Sequence, residues 1–346
     1  MLTGPPMTGK ERCLAVIHGR PVDRVPLFPL RMFFAADRLG ISFRRYAGSG
    51  SALAEAQVKV FHRYGLDAIT ACSDAFRVSA DLGGEMAFPE NHPPHLRRPL
   101  VTCATDLDRL PHPDPTGTGS RMADRILAVH EMAHAVGNEC LVLGWVDMPF
   151  AEACSVCGVQ AFLMLMLEEP ALAHRLLQFL TEIVKGFGLA QLAAGAPMIG
   201  AGDATASLIS PECYREFALP YEQQVCRAIH DAGGLVKLHV CGNTSALLPD
   251  MARCGADLFN VDFPVDLARA AEIYGGAGKC FKGNLDPVAD MLYGTPDRCR
   301  RKALACMAAA KGHNYMLSAG CEVPAGVTDE VFEAFCQAPW GGSGDE

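Results

Sequence analysis

The sequence predicts an α/β fold, a single (β/α)8 (TIM) barrel with an insertion between its second and third strands. Three observations predict it. Short apolar runs rich in strand formers recur along the chain, helical patterns separate most of them, and chemistry-bearing residues gather just past the ends of the runs. A length of 346 residues suits one such barrel.

Residues 8–18 read as a first helix, with Thr8 as N-cap and Gly19 at its end. An extended entry, Pro21 to Pro26, leads into the first predicted strand, 25–30. The further strands are expected at 66–72, 141–147, 197–203, 235–241, 256–262, 280–284 and 315–319. Helices are expected at 52–64, 120–136, 170–192, 211–232, 244–254, 265–274 and 296–311. Ser210-Pro211 is a cap followed by a first-turn proline, and Thr328-Asp329-Glu330 opens a last helix in the same way.

Residues 76–119 break the alternation. They are rich in Pro, Gly and polar residues and too long for a plain connection. They are expected to form an inserted cap over the barrel mouth, with edge strands at 78–80 and 96–102. The domain is expected to span 1–338, and the Gly-rich tail 339–346 to be disordered.

Composition narrows the function. The net charge of −9 argues against a nucleic-acid binder, which needs a basic face. No apolar run reaches ~18 residues, so no membrane span is expected, and the N-terminus lacks the apolar core of a signal peptide. A cytoplasmic protein with free or ligating cysteines follows from 15 Cys without a secretion signal. Most of those thiols are expected to pack as small hydrophobes.

Leu238-His239-Val240-Cys241-Gly242-Asn243 and Ser318-Ala319-Gly320-Cys321 read as one site. Residues two apart on a strand share a face, so His239 and Cys241 point the same way. Cys321 closes a second strand in the same position. One imidazole and two thiolates from two strand ends make a three-ligand zinc site with its fourth position open. His-x-Cys is weak alone, because 11 His and 15 Cys give about half an occurrence by chance. Its place at a strand-to-glycine turn, repeated by Cys321, is what raises it.

The other strand ends add Asp147, Glu152, Asp203, Asp262, Asn284 and Asp286. Asp203, Glu152 and Asn284 are the candidate catalytic residues, and Asn243 and Asp286 the candidate cofactor contacts. Glu152 sits in apolar Pro149-Phe150-Ala151-Glu152-Ala153, where an unpartnered acid is costly. For Asp262 and Asp286 the competing role is to cap a turn or helix, and for Asn243 to hold the loop after Cys241. Cys154-x-x-Cys157 has redox or zinc spacing, but no matching pair completes it, and two packed thiols are expected. His92 and His95 are expected as exposed loop residues.

With these residues in view, the chain resembles the uroporphyrinogen decarboxylase superfamily, and within it the zinc methyltransferases that take a methyl group from a corrinoid protein. Asp23-Arg24-Val25-Pro26, Asp203-Ala204-Thr205-Ala206-Ser207 with Ser210-Pro211, Phe217-Ala218-Leu219-Pro220-Tyr221, His239-Val240-Cys241-Gly242-Asn243, Gly283-Asn284-Leu285-Asp286-Pro287 and Gly320-Cys321 carry the resemblance over residues 21–335. True decarboxylases lack the His-x-Cys and the late Cys. The resemblance implies a (β/α)8 barrel, Zn2+ held by His239, Cys241 and Cys321, a methylcobamide carried by a partner corrinoid protein, and tetrahydrofolate or coenzyme M as methyl acceptor. The alternative is a metal-free decarboxylase acting on a porphyrinogen-like tetracarboxylate, for which Arg31 and Arg77 would supply basic groups at the mouth.

Overall fold

Strand-forming runs of three to seven residues build a curled parallel sheet, described here from a computed structural model over residues 6–340. Its strands are β1 (Ala68–Thr70), β4 (Leu141–Asp147), β5 (Met198–Gly202), β6 (Leu235–His239), β7 (Leu258–Asn260), β8 (Cys280–Leu285) and β9 (Tyr315–Ala319), paired in that order. A separate antiparallel pair, β2 (Met86–Ala87) with β3 (His95–Leu96), lies between β1 and β4 in sequence. The predicted first strand is reduced to parallel bridges, Leu27 with Leu317 and Leu30 with Glu322. Its other side receives Asp67 N–H at Leu27 O, 3.0 Å away. This segment therefore sits between β9 and β1, and the sheet is a TIM-like barrel of seven strands plus this bridging stretch.

Period-2 alternation decides what faces inward. Ala68, Leu141, Leu143, Met198, Leu258, Cys280, Met316 and Phe28 fill the lower interior, and Cys13, Val16 and Ile17 of the helix Gly9–Ile17 close it from below. Thr8 caps that helix in a capping box with Glu11, as the sequence predicts. The alternate residues, such as Ile69, Val142, Ile199, Leu238, Phe259 and Leu317, pack under the outer helices. Above the lower layer the interior turns polar, with Lys237, Asn260, Lys282 and Ser318 all buried.

Several helices differ from expectation. The segment 211–232 is two helices, Pro211–Phe217 and Leu219–Asp231, because Pro220 has no N–H to continue the ladder and disfavours helical geometry before it. The segment 244–254 holds one turn, Leu248–Met251. Residues 78–80 lie in the helix Arg77–Asp81, not in an edge strand: Val78 and Ser79 are buried there, and the short period-2 pattern fits one helical turn equally well. Of 96–102 only Leu96 is in a strand.

The sequence reading missed Phe33–Leu39, Phe43–Gly48, and the pair Pro149–Cys157 and Val159–Glu168. The pair bends by 106° at Gly158, whose φ of +85° suits glycine. Among the described residues no single helix is long and apolar enough to cross a membrane. Of the tail 339–346 expected to be disordered, Pro339 and Trp340 instead belong to the helical turn Ala338–Trp340, with the Arg24 guanidinium 4.7 Å from the Trp340 ring, and residues 341–346 lie outside the described residues.

Candidate metal centre and acid cluster

The His239 ring follows from strand register. Gly202 on β5 pairs with His239 on β6, and the inward face of β6 runs Leu235, Lys237, His239. Cys241 lies two residues further on, where Gly242, at φ +88°, turns the chain. Asp262 fixes that turn: its Oδ2 accepts from Gly242 N at 2.6 Å, and its Oδ1 accepts from Phe263 N at 2.7 Å. Asp262 therefore caps its own turn, as expected, and also holds the loop that carries Cys241.

Cys321 arrives from the other side. Gly320 N donates to Leu285 O at 2.8 Å, and Asn260 Nδ2 donates to Gly320 O at 2.7 Å. A side chain at 320 would not fit, since its Cβ would meet Phe263 N at 2.3 Å and Asp262 Oδ1 at 2.7 Å. The result is a cluster. His239 Nε2 is 3.0 Å from Cys241 Sγ and 3.5 Å from Cys321 Sγ, and the two sulfurs are 3.5 Å apart.

These residues fit a metal. Tetrahedral zinc with ordinary bond lengths spaces nitrogen and sulfur ligand atoms roughly 3.5–3.8 Å apart, close to the spacing here. The donor set is soft, and His239 is 3% exposed while both cysteines are half-buried. His239 Nδ1 is buried without a hydrogen-bond partner, so Nε2 is the nitrogen turned to the sulfurs. A hydrogen bond from Cys241, and then His239, pull the Cys321 thiol down, while the Cys241 thiol is pushed up; the pair is poised to hold a single negative charge. Below the cluster, fully buried Lys237 has no hydrogen-bond partner for its Nζ among the described residues, and that atom lies 4.6 Å from the Trp145 ring centroid. Sequence reading missed Lys237; its signal was a lysine alternating in register with His239 inside an apolar strand.

The acids gather at the ends of β4 and β5. Glu152 is 1% exposed and one of its oxygens, Oε2, has no hydrogen-bond partner among the described residues. Burial, and then Asp147, push its carboxyl well above the usual range. Asp203 is sealed beside Glu222; burial, and then Glu222, raise it strongly. Burial pushes Glu222 up to about 7, and its Oε2 accepts from the Tyr214 hydroxyl. Asp147 is half-buried and is also pushed up to about 7 by burial. Glu222 was not among the predicted site residues, although an acid three, four and seven residues before Val225, Cys226 and Ile229 marks a buried helix face.

The other predicted residues are placed elsewhere. Asn284 Nδ2 donates to Val265 O at 2.7 Å and to Asp262 O at 3.2 Å. Asp286 caps the turn Pro287–Leu292, its Oδ1 accepting from Val288 N and Ala289 N at 2.8 and 2.9 Å. Both line a separate cleft of about 370 Å³ against the helix Pro296–Ala309. Asn243 is exposed and its Oδ1 accepts from Ser245 N and Oγ, holding the loop. Cys154 and Cys157 are free and buried, and His92 and His95 are exposed. Arg31 and Arg77, both 2% exposed, are tied inward: Arg31 Nη2 donates to Ala68 O at 2.9 Å, and Arg77 Nη2 donates to Ser73 Oγ at 2.9 Å. Arg77 joins Arg121 and Arg125 around buried Asp74, whose carboxyl those cations hold far below the usual range against the cost of burial.

Known proteins agree with this fold. Residues 8–339 match the model of the uroporphyrinogen decarboxylase (URO-D) family. The uroporphyrinogen decarboxylase of Xanthomonas euvesicatoria pv. vesicatoria (strain 85-10) is 29% identical over 311 residues, covering 85% of this chain and 86% of that protein. That of Psychromonas ingrahamii (strain DSM 17664 / CCUG 51855 / 37) is 26% identical over 345 residues, covering 95% and 96%. Among solved structures, a methyltransferase from Methanosarcina mazei superposes with a TM-score of 0.87 at 23% identity, covering 96% of this chain and 98% of that one. A B12-independent methionine synthase from Shewanella sp. W3-18-1 superposes with a TM-score of 0.56 at 9% identity, covering 84% and 85%. The two structural likenesses speak to the fold.

Proposed function

The chain belongs to the uroporphyrinogen decarboxylase family, and from that premise we propose that it is a zinc-dependent methyltransferase moving a methyl group between a methylated corrinoid protein and a small acceptor, tetrahydrofolate or a thiol such as coenzyme M. The observation that carries this reading is the cluster of His239, Cys241 and Cys321 at the C-terminal mouth of the barrel, where this fold places its chemistry. These three residues would hold the zinc. When bound, zinc supplies a Lewis acid that lowers the pKa of a coordinated thiol or polarises an acceptor beside it.

The chain's own groups complete the site. The acceptor must lose a proton as it takes the methyl group, and the bonding pair leaves with the corrinoid. Asp147, raised to about 7 and half-buried, is able to take that proton from a thiol acceptor near neutral pH, whereas a tetrahydrofolate would release its ring N–H proton to water. Glu152 and Asp203, sealed and held protonated, keep negative charge from accumulating around it. Asp262 and Asn260 hold the loops that carry the two thiols. The corrinoid protein would dock on this face, where Leu208, Phe263 and Val288 are exposed after β5, β7 and β8, together with the inserted segment 76–119.

The second reading, a metal-free decarboxylase of a porphyrinogen-like tetracarboxylate, is favoured by the names of the curated relatives. It needs cations facing the mouth, and Arg31 and Arg77 are instead buried and hydrogen-bonded inside the protein. Elemental analysis followed by methylcobalamin demethylation with tetrahydrofolate, homocysteine or coenzyme M tests the two. About one zinc per chain, with loss of the methyl–cobalt absorbance, is the expected result. A protein that takes up no zinc on reconstitution and decarboxylates uroporphyrinogen would replace the first reading with the second.

A further inference from the structure

A cavity of about 440 Å³ opens at the ends of β4 and β5. Its volume falls in the ~300–1,000 Å³ range of sites that enclose whole cofactor-sized ligands, and a two-carbon thiol would leave most of it empty. Its walls are largely apolar. Phe76 and Leu96 come from the segment between β1 and β4, and Ala151 from the helix Pro149–Cys157. Leu100 N donates to Val156 O at 2.7 Å, which ties that segment to the same helix and fixes the two walls against each other.

Besides His95 and Ser155, its polar lining is Asp147 at the end of β4, Thr205 after β5, and Arg97 and Arg98 of the segment between β1 and β4. Asp147 makes no salt bridge among the described residues. Nearby Thr205 Oγ1 is buried with no hydrogen-bond partner among the described residues. Arg97 and Arg98 have side chains 59% and 79% exposed. They share one counter-charge, Glu85, at 3.5 and 3.9 Å, so a positive charge is left over.

Strand register relates Asp147 to the metal centre. Asp147 pairs in register with Gly202, and Gly202 with His239. Two strand spacings of ~4.8 Å put the backbones of Asp147 and His239 roughly 10 Å apart. The carboxylate leans across Gly202, where an added Cβ would meet Asp147 Oδ1 at 2.9 Å. The cavity therefore opens on the same side of the barrel mouth as the cluster, one strand removed from it, with Asp147 between the two.

We propose that this cavity is the acceptor subsite, and that the acceptor it takes is a reduced pterin with an anionic tail, a tetrahydrofolate. The N–H edge of the pterin lies on the Asp147 carboxylate, the ring lies between the walls of Phe76, Leu96 and Ala151, and the glutamate tail runs out to Arg97 and Arg98. A carboxylate facing two adjacent N–H donors makes the strong, charge-assisted kind of hydrogen bond. The tail contacts are exposed and contribute less. The inference rests on the methyl-transfer reading for its meaning, but binding alone tests it.

The experiment is calorimetric titration of the zinc-loaded full chain with tetrahydrofolate mono- and triglutamate, without air and without corrinoid. The wild type is expected to bind both, the triglutamate more tightly. Asp147→Asn and Ala151→Trp are each expected to weaken binding by about tenfold or more, the worth of one good hydrogen bond or of a filled cavity. Arg97→Glu with Arg98→Glu changes only exposed side chains and is expected to abolish the triglutamate advantage. Thermal melting and zinc content, measured alongside, show that each variant is folded and loaded. Binding unchanged in Ala151→Trp and in the arginine variant would overturn the placement. No folate binding, with methylcobalamin demethylation running on a thiol, would overturn the inference and leave methyl transfer standing. Folate binding lost in the variants as described, with no demethylation by any acceptor, would support the site and sink methyl transfer.

Discussion

The barrel mouth has two unlike sides. At the ends of β6 and β9, a buried imidazole and two half-buried thiols lie within 3.5 Å of one another. At the ends of β4 and β5, Glu152 and Asp203 are sealed and make no salt bridge among the described residues, while Asp147 is the one of the three acids that lines a cavity. The two sides spend burial differently. The two thiols keep some exposure, as the donors of an accessible metal site would need to. The acids are closed in, and closure holds them neutral, because a buried carboxylate without a partner is too costly to ionise. A third group makes the contrast sharper: Asp74 is as deeply buried as Asp203, yet three arginines keep it charged. Partner cations, not depth, decide which buried acid is ionised.

The largest effect should come from the open side. Cys321→Ala is expected to lower bound zinc from about one per chain to near none. Demethylation should fall by well over the ~10–100-fold that loss of a mere neighbour of a ligand costs. Elemental analysis and the methyl–cobalt absorbance read both, and full activity without metal would refute the zinc reading. Next is the paired acid. Asp74→Ala strands three guanidinium groups and should cost about 3–5 kcal/mol in denaturant unfolding; a loss under ~1 kcal/mol would mean the arginines find other partners.

The unpaired acids should show the opposite sign with pH. Burial raises Glu222 from 4.5 to about 7. The stability gained by keeping it neutral is complete below the unfolded value near 4.5 and is lost as pH rises through about 7, an effect of up to ~3 kcal/mol. Zinc-saturated wild type should therefore melt lower at pH 8 than at pH 5. Glu222→Gln, neutral throughout, should flatten that slope and be the more stable form at pH 8. A slope identical in the two proteins would show that Glu222 does not titrate in this window. The smallest effect concerns the caps. Asp286→Ala should cost ~1 kcal/mol, the usual worth of a cap, and leave acceptor binding within twofold. A tenfold loss of tetrahydrofolate binding at unchanged stability would instead make Asp286 a cofactor contact.

Much of this was legible along the chain because it is local. Strand positions followed from short β-branched and apolar runs, and seven of the eight predicted strands are present, though β1 and β7 shrink to three residues each. His239 ends β6 and Cys241 lies two residues past the strand, where the two-residue spacing still leaves its thiol 3.0 Å from the imidazole. The capping roles of Asp286 and the loop-holding role of Asn243 were readable for the same reason: each acts within three residues of itself.

What the chain could not disclose from its order alone is which distant groups meet. Cys241 and Cys321 lie 80 residues apart, and only closure of the sheet brings their sulfurs into contact. The burial that seals Glu222 against Asp203, empties the space beside Asp147 and turns Arg77 inward onto Ser73 and Asp74 is set by helices packing over the barrel. Residues 78–80 became helix because burying Val78 and Ser79 outweighed a three-residue strand pattern. Sequence by itself determined the strands and the metal-type donors, since covalent spacing dictates which side chains share a face. Tertiary structure decided which acids are charged, because ionisation depends on the solvent and partners that folding removes or supplies.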